Sequence, residues 1–454
     1  MNAAAMQVSA FAKPCSEQSF KWRLEIIVGI GALWRFVILA FKWRVHLLLN
    51  DSLYYDNQAA NLIKGHGYVQ PFSNPAQPGA EHGPLTSTLM APLSWMQHAV
   101  PWQRSVTVLC GIATVAVIGF VGRRLAGDRA GLFASGLAAV YANLWINDGL
   151  VMSESVSMLT VALTLLVTLR FLETQRVRPA ILVGVLIGLS ALARSELILL
   201  LPLLALFLLM TVHGGAAHRL RLVSVVVGAA VLSLAPWVGY NVARFEKTVT
   251  LSTNDGTTIA GAYCDRVFSG PDIGGWSLLC LSDDPLDGTM KEPSVMSAHR
   301  RSVGLHYLRT HLDQMPKVEA ARVGRTLDLF GLQNLVRQDV GEERWRWVSW
   351  LGIVEFWLLA PLAVVGLRRM RRPERWLLLL PCVCVLATTL AFYGAHRIRS
   401  SMEPTIVLAG GVLFSQLSLR RRGGSNGRGA PATTDGSSFD EANAAKSAVP
   451  PAGK

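Results

Sequence analysis

Several carboxylates and guanidinium groups stand where apolar segments of this chain begin or end. Burying charge near lipid is costly, so an ionisable group there is a site candidate by default. Asp51 follows the first apolar run, and Asp56 lies just beyond it. Glu154 opens another apolar run, behind the turn Asn147-Asp148-Gly149. Arg194 and Glu196 share one short turn, and Arg397, Arg399 and Glu403 share another. A carboxylate so placed can take a proton from a nucleophile. A guanidinium pair can hold a phosphate bidentately. Each group also has a plainer reading. Asp51 serves as a helix N-cap, and Glu154 as a carboxylate at a helix dipole. Asp148 reads as a more exposed version of Glu154. Arg194 and Glu196 form an ion pair, and the two late arginines pair with Glu403 or lipid headgroups.

The richest stretch is 50–85, NDSLYYDNQAANLIKGHGYVQPFSNPAQPGAEHGPL. Its Tyr pair, Gly-His-Gly turn, prolines and His82-Gly83-Pro84 suit a folded polar loop at a membrane surface. If 53–63 is helical, Tyr54, Gln58 and Ala59 share one face and Tyr55 and Asp56 another. Gly65 and Gly67 then end that helix.

The elements that must position these groups are membrane spans. Of 454 residues, 51% are hydrophobic and 16% charged, against about 25% charged in soluble domains. The mean hydropathy is +0.36. The net charge of +13 falls largely in short loops between apolar runs, where it sets orientation. No nucleic-acid-binding motif accompanies it, so a nucleic-acid partner is not expected. Residues 1–23 form a cytoplasmic N-terminus, polar and irregular over 1–20. The first span is 24–42, an anchor without a signal-peptide cleavage site. Further spans fall near 103–122, 131–147, 152–171, 180–194, 197–212, 222–241, 347–367, 376–394 and 402–419. The basic clusters Arg123–Arg129, Arg176–Arg178, His218–Arg221, Arg368–Arg375 and Arg420–Arg422 then all land beside Lys21 and Arg23. That side is the cytoplasm by the positive-inside rule.

Two ambiguities are settled by this charge parity. The run 84–98 falls short of the roughly 20 residues a span needs, and lies on the outer surface. The run 180–210 is broken at Arg194-Ser195-Glu196, because one long helix would bury both charges near mid-membrane. The expected fold is therefore an all-α polytopic membrane protein of about ten spans: 24–42, six within 103–241 and three within 347–419. Two extracytoplasmic loop regions, 43–102 and 242–346, carry the polar chemistry. The second is expected to mix helix and strand, because Asn254-Asp255-Gly256 signals a turn between β-branched runs. Arg300, Arg301, Arg309, Lys317, Arg322 and Arg325 form a solvated face there or meet anionic headgroups. Cys264 and Cys280 lie in this loop and can pair in an oxidising exterior. The tail 420–454 is expected to be disordered and cytoplasmic.

Taken together, these pieces resemble the GT-C superfamily of membrane glycosyltransferases, and within it the protein mannosyltransferase, aminoarabinose transferase and rhizobial core-transferase group. The resemblance rests on Asp51, Tyr54/Tyr55, the run Ala60–Tyr68, His82-Gly83-Pro84-Leu85, Glu154, Gly184 to Glu196, and Arg397, Arg399, Glu403 and Pro404. Ser52 stands where many relatives carry a second acid, Ile398 where they carry Tyr, and Ser401 where they carry Pro. The resemblance implies transfer, with inversion, of a sugar from a polyprenyl-phosphate donor to an extracytoplasmic glycan, lipid or protein acceptor. Asp51 would be the base, with Glu154 orienting it or holding the acceptor. Arg397, Arg399 and Arg194 would meet the donor phosphate, and Tyr54, Tyr55, Asp56, His82 and Glu196 would line the cavity. No cofactor is certain, and a divalent cation (Mg or Mn) stays open; Ser52 weakens the case for one bridged at Asp51. The alternatives are an O-antigen-ligase-like enzyme, a lipid-linked-sugar transporter or flippase, and a membrane scaffold.

Overall fold

The computed structural model describes residues 17–48, 51–71, 73, 75–286, 289 and 292–425. The expectations for 1–16 and for the tail from 426 lie outside the described residues. Helix α1 (Glu17–Lys42) leads to α2 (Asp51–Ile63), α3 (Pro84–Met90), α4 (Ala99–Ala126) and α5 (Asp128–Val140). A short α6 (Ala142–Trp145) and a turn precede α7 (Glu154–Thr174), α8 (Val177–Ala193), α9 (Leu200–Thr211) and α10 (Ala216–Arg244). The long loop holds α11 (Asn254–Ala262), α12 (Asp265–Phe268), α13 (Leu279–Ser282), α14 (Pro293–Thr310), α15 (Met315–Thr326) and α16 (Leu332–Gly341). Helices α17 (Arg346–Arg369), α18 (Arg372–Ala391), α19 (His396–Arg399) and α20 (Glu403–Ser425) complete the order. The described residues up to Ser415 form one compact unit, and Gln416–Ser425 belong to a second.

This is a membrane protein by the character of its helices. Six of them, α1, α4, α7, α10, α17 and α18, are long and apolar enough to cross a bilayer, and two shorter apolar stretches cover Val177–Ala193 and Ser195–Thr211. Large apolar side chains such as Leu33, Leu232 and Leu358 point outward, as a hydrocarbon solvent allows and water would penalise. Inside, one apolar core joins α4, α5, α7, α8, α9, α10, α17, α18 and α20.

Two ends of the bundle can be told apart. At one, Arg123 pairs with Asp128 at 2.7 Å and lies over the Phe20 ring, while Arg124 pairs with Glu173. At the other, α1 ends on Lys42, whose Nζ donates to the Glu343 carbonyl oxygen at 3.2 Å just before α17. Asp51, Glu154, Arg194 and Arg397 stand at this second end.

The local expectations meet the structure unevenly. Helix α2 stops two residues before Gly65, whose φ of 78° is a left-handed value that glycine adopts without strain. Between α8 and α9 the chain breaks at Arg194, in an extended conformation, before a short 3-10 turn at Ser195–Leu199. Helix α1 begins at Glu17, ahead of the expected 24, and Phe20 is fully buried. The irregular tail expected from 420 is helical as far as Ser425.

The long loop holds no strand among the described residues. Asn254-Asp255-Gly256, read as a turn between β-branched runs, instead opens α11, and Gly256 lies against the Ser297 backbone of α14. Cys264 and Cys280 are joined in a disulfide. Arg322 and Arg325 are buried donors to backbone carbonyls, including Ala262 and Ile273, and not a solvated face.

Candidate active site

Asp51 is the first residue of α2, and its carboxylate bridges two cationic partners. Arg397 Nη2 donates to Oδ2 at 2.6 Å, and His82 Nε2 lies 3.4 Å from Oδ1. The Asp51 side chain keeps 27% of its exposure, so it can meet a substrate. His82 is seated by the Tyr pair. The Tyr55 ring stacks on it at 5.0 Å, and the Tyr54 ring meets it edge-on at 5.1 Å. Tyr54 also accepts the Glu81 backbone N–H through its hydroxyl at 3.1 Å. Burial pushes the Asp51 carboxyl up, but Arg397 and His82 outweigh it and hold it well below the usual carboxylate range. Burial lowers His82, and Asp51 more than reverses this, so its imidazole stays protonated to higher pH than usual.

Behind Asp51 lies an arginine-rich centre built on Glu154. Its Oε1 accepts from Arg194 Nη1 at 3.0 Å, with Arg397 Nε at 3.4 Å and Arg344 Nη2 at 3.7 Å. Its Oε2 has no hydrogen-bond partner although it is buried. Arg194 also donates to Glu196 at 2.6 Å. Arg397 Nη1 donates to Glu342 at 3.0 Å, and Glu342 also pairs with Arg344. The ion pair expected between Arg194 and Glu196 is present, and it is one edge of a larger network.

Other expected members stand elsewhere. Asp56 turns away and accepts from Gln103 at 2.8 Å. Arg399 is 1% exposed and bonds Asp328 at 2.5 Å and Glu403 at 2.6 Å, one network removed from Asp51. Asp148, expected to be the more exposed acid, is fully buried and accepts from Arg35 at 2.7 Å and Ser155 at 2.7 Å. The turn containing it folds inward because Arg35, in mid-α1, needs a counter-charge away from lipid.

Three groups had been passed over: Glu342, Arg344 and His396. The signal was present in Gly341-Glu342-Glu343-Arg344, an ionisable run directly before an apolar segment. Glu343 anchors this run, accepting from the buried Arg104 at 2.7 Å. Its neighbour Arg344 is thereby directed at Glu154 and Asn147. His396 holds Asp339 at 2.7 Å and Asp328 at 2.5 Å through its two ring nitrogens.

Among the described residues no group of three or more His, Cys, Asp or Glu side chains is placed to hold a metal ion. What the arrangement can do is bind an anion and accept a proton beside it.

Residues 89–240 match the family model described as dolichyl-phosphate-mannose-protein mannosyltransferase. That segment contains Glu154, Arg194 and Glu196, but not Asp51, His82, Arg344 or Arg397. Among solved structures, the oligosaccharyltransferase AglB from the archaeon Archaeoglobus fulgidus, in complex with an inhibitory peptide and a dolichol-phosphate, matches with a TM-score of 0.54 at 14% identity, over 92% of this chain and 53% of its own. The apo oligosaccharyltransferase of the same organism gives 0.53 at 15%, over 92% and 53%. ArnT from Cupriavidus metallidurans, bound to undecaprenyl phosphate, gives 0.40 at 15%, over 85% and 78%. The chain spans about half the length of the archaeal proteins it matches. No curated protein matches it in sequence. Over residues 89–240 the chain is similar to the dolichyl-phosphate-mannose-protein mannosyltransferases, and its fold is similar to that of the archaeal oligosaccharyltransferase.

Proposed function

We propose that this protein is an integral membrane glycosyltransferase. It moves a sugar from a polyprenyl-phosphate donor to an acceptor outside the cytoplasm, inverting the anomeric carbon. The observation that carries this reading is the direct contact between a partly exposed carboxylate, Asp51, and a guanidinium, Arg397, that belongs to a group of three around Glu154. The end of the bundle bearing this site faces outside, because the basic loops gather at the other end.

Arg397 exchanges Asp51 for the donor phosphate, to which it can bond bidentately. Arg194 and Arg344 add positive potential where charge grows on the leaving phosphate. A lipid phosphate leaves without a general acid. Released from Arg397, Asp51 loses the partner that held its pKa lowest and becomes a stronger base toward the acceptor. Glu154 keeps the three guanidiniums in register, and its unpartnered Oε2 can accept a hydrogen bond from sugar or acceptor. Arg399 holds the loop from which Arg397 projects.

The test is release of polyprenyl phosphate from a panel of labelled lipid-linked sugars by the purified protein in vesicles. No release from any donor, with the protein folded, would overturn the reading. Movement of intact donor across the bilayer without release would favour the transporter.

A further inference from the structure

Among the described acids of the site, Glu342 is the one that gives a separate oxygen to each of two guanidiniums. Its Oε1 accepts from Arg397 Nη1 at 3.0 Å, and its Oε2 accepts from Arg344 Nη1. Among the described residues no third cation pairs with it, and its side chain keeps 19% of its exposure. The next residue is fixed. Glu343 has a φ of 67°, a left-handed value that a non-glycine residue keeps only when its surroundings hold it. Lys42 Nζ donates to its carbonyl oxygen at 3.2 Å, the Leu48 N–H to Oε1 at 3.1 Å, and Arg104 to Oε2 at 2.7 Å. The Glu342 carboxylate can therefore leave by rotation of its own side chain, over a turn that stays in place.

Arg397 has two edges that can grip a phosphate with two hydrogen bonds, Nε with Nη2 and Nη1 with Nη2. Nη2 holds Asp51 at 2.6 Å, Nε lies 3.4 Å from Glu154, and Nη1 holds Glu342. A bidentate phosphate must thus displace one acid besides Asp51. Glu154 is ill suited to yield, because it is fully buried and bonded to Arg194 at 3.0 Å, and moving it would strand its charge. Glu342 is partly exposed and can turn to water. Arg344 is already oriented for the exchange, since Asn147 Oδ1 accepts from its Nε at 3.3 Å and its Nη2 at 2.9 Å, while Nη1 faces Glu342. The exchange is also matched in charge. A phosphodiester joining lipid to sugar carries one negative charge, as does the carboxylate it replaces.

We propose that Glu342 is a built-in competitor for the donor phosphate. It sits on the Nη1 atoms of Arg397 and Arg344, yields both to the phosphate, and so sets donor affinity. This rests on the transfer reading above. A carboxylate that merely aligned the two arginines would have the opposite effect, because its loss would weaken phosphate binding.

The experiment measures equilibrium binding of radiolabelled polyprenyl phosphate to the full chain in nanodiscs, with release from lipid-linked sugars assayed in parallel and a thermal melt as the check on folding. Glu342→Gln is expected to bind polyprenyl phosphate about tenfold more tightly, as when one charge-assisted contact no longer has to be given up, and donor KM should fall with it. Glu342→Asp keeps the charge but is too short to bridge both guanidiniums, and should tighten binding about threefold. This second variant carries the test if the first does not fold. Glu196→Gln removes an equal charge that pairs with Arg194, and should tighten binding less than Glu342→Gln. Unchanged or weaker binding in the Glu342 variants, or an equal gain in Glu196→Gln, overturns the proposal, while release by wild type leaves the transfer reading standing. Tighter binding in the Glu342 variants with no release from any donor overturns the transfer reading and leaves the exchange standing. Neither binding nor release in wild type overturns both.

Discussion

Asp51 and Arg397 neutralise one another in this state, and that decides how the residues act. A carboxylate held well below its usual pKa by a guanidinium is ionised at any physiological pH but is a poor proton acceptor. Removing the charge tests its role directly: Asp51→Asn is expected to slow transfer by about 10²–10⁴, the range of general-base catalysis, with an unchanged melting profile within a few degrees. Vesicle assays of sugar transfer beside a thermal melt would show both. The two late arginines separate in the same assays. Arg397→Lys keeps charge but loses the fork, so donor KM should rise with little change in stability. Arg399→Ala leaves Glu403 buried without its cation and Asp328 with His396 alone, and should cost about 3–5 kcal/mol of stability. Asp51, Glu154, Arg194, Glu196 and Arg397 were legible in sequence because each stands at the edge of an apolar run. Arg399 has the same sequence setting but a different role, since the direction of its side chain depends on Asp328, distant in the chain.

At the scale of elements, the short α19 is pinned by acids from the long loop. His396 sits between Asp328, after α15, and Asp339, in α16. Burial lowers its pKa, but the two carboxylates outweigh burial and raise it to about 9 from 6.5. A histidine raised on folding stabilises fully below the unfolded value, and the benefit is lost as pH rises through the folded one. The melting temperature is therefore expected to fall as pH climbs from about 6.5 past 9. His396→Asn should flatten that dependence, as differential scanning fluorimetry across pH would show. A second clamp joins the run before α17 to α4. Glu343 and Arg104 are both buried, so Glu343→Ala should cost about 3–5 kcal/mol by stranding a charge. It should also lower activity by releasing Arg344, its neighbour. Neither clamp was foreseen, because the partners are too far apart in sequence for any local pattern to link them.

At the scale of the molecule, the site end of the bundle also carries the loop with Cys264–Cys280. If that end faces an oxidising compartment, protein from its native membrane should show this bridge in non-reducing peptide maps. Reducing it should cost about 3 kcal/mol, as for a closed loop of similar length. A fully reduced pair in native membranes would argue against the proposed orientation. The sequence alone determined that this is a helical membrane protein, where its apolar runs lie, and which ionisable groups stand at their ends. Those features follow from transfer free energy and charge placement, which are properties of short stretches. Tertiary structure alone decided which acids and arginines meet. It turned Asp148 inward to Arg35, gave Arg399 to Asp328, brought Arg344 to Glu154, and built the described part of the long loop from helices where a mix of helix and strand was expected. A buried charge is stable only beside its counter-charge, and the fold chooses that partner by bringing distant segments within about 4 Å.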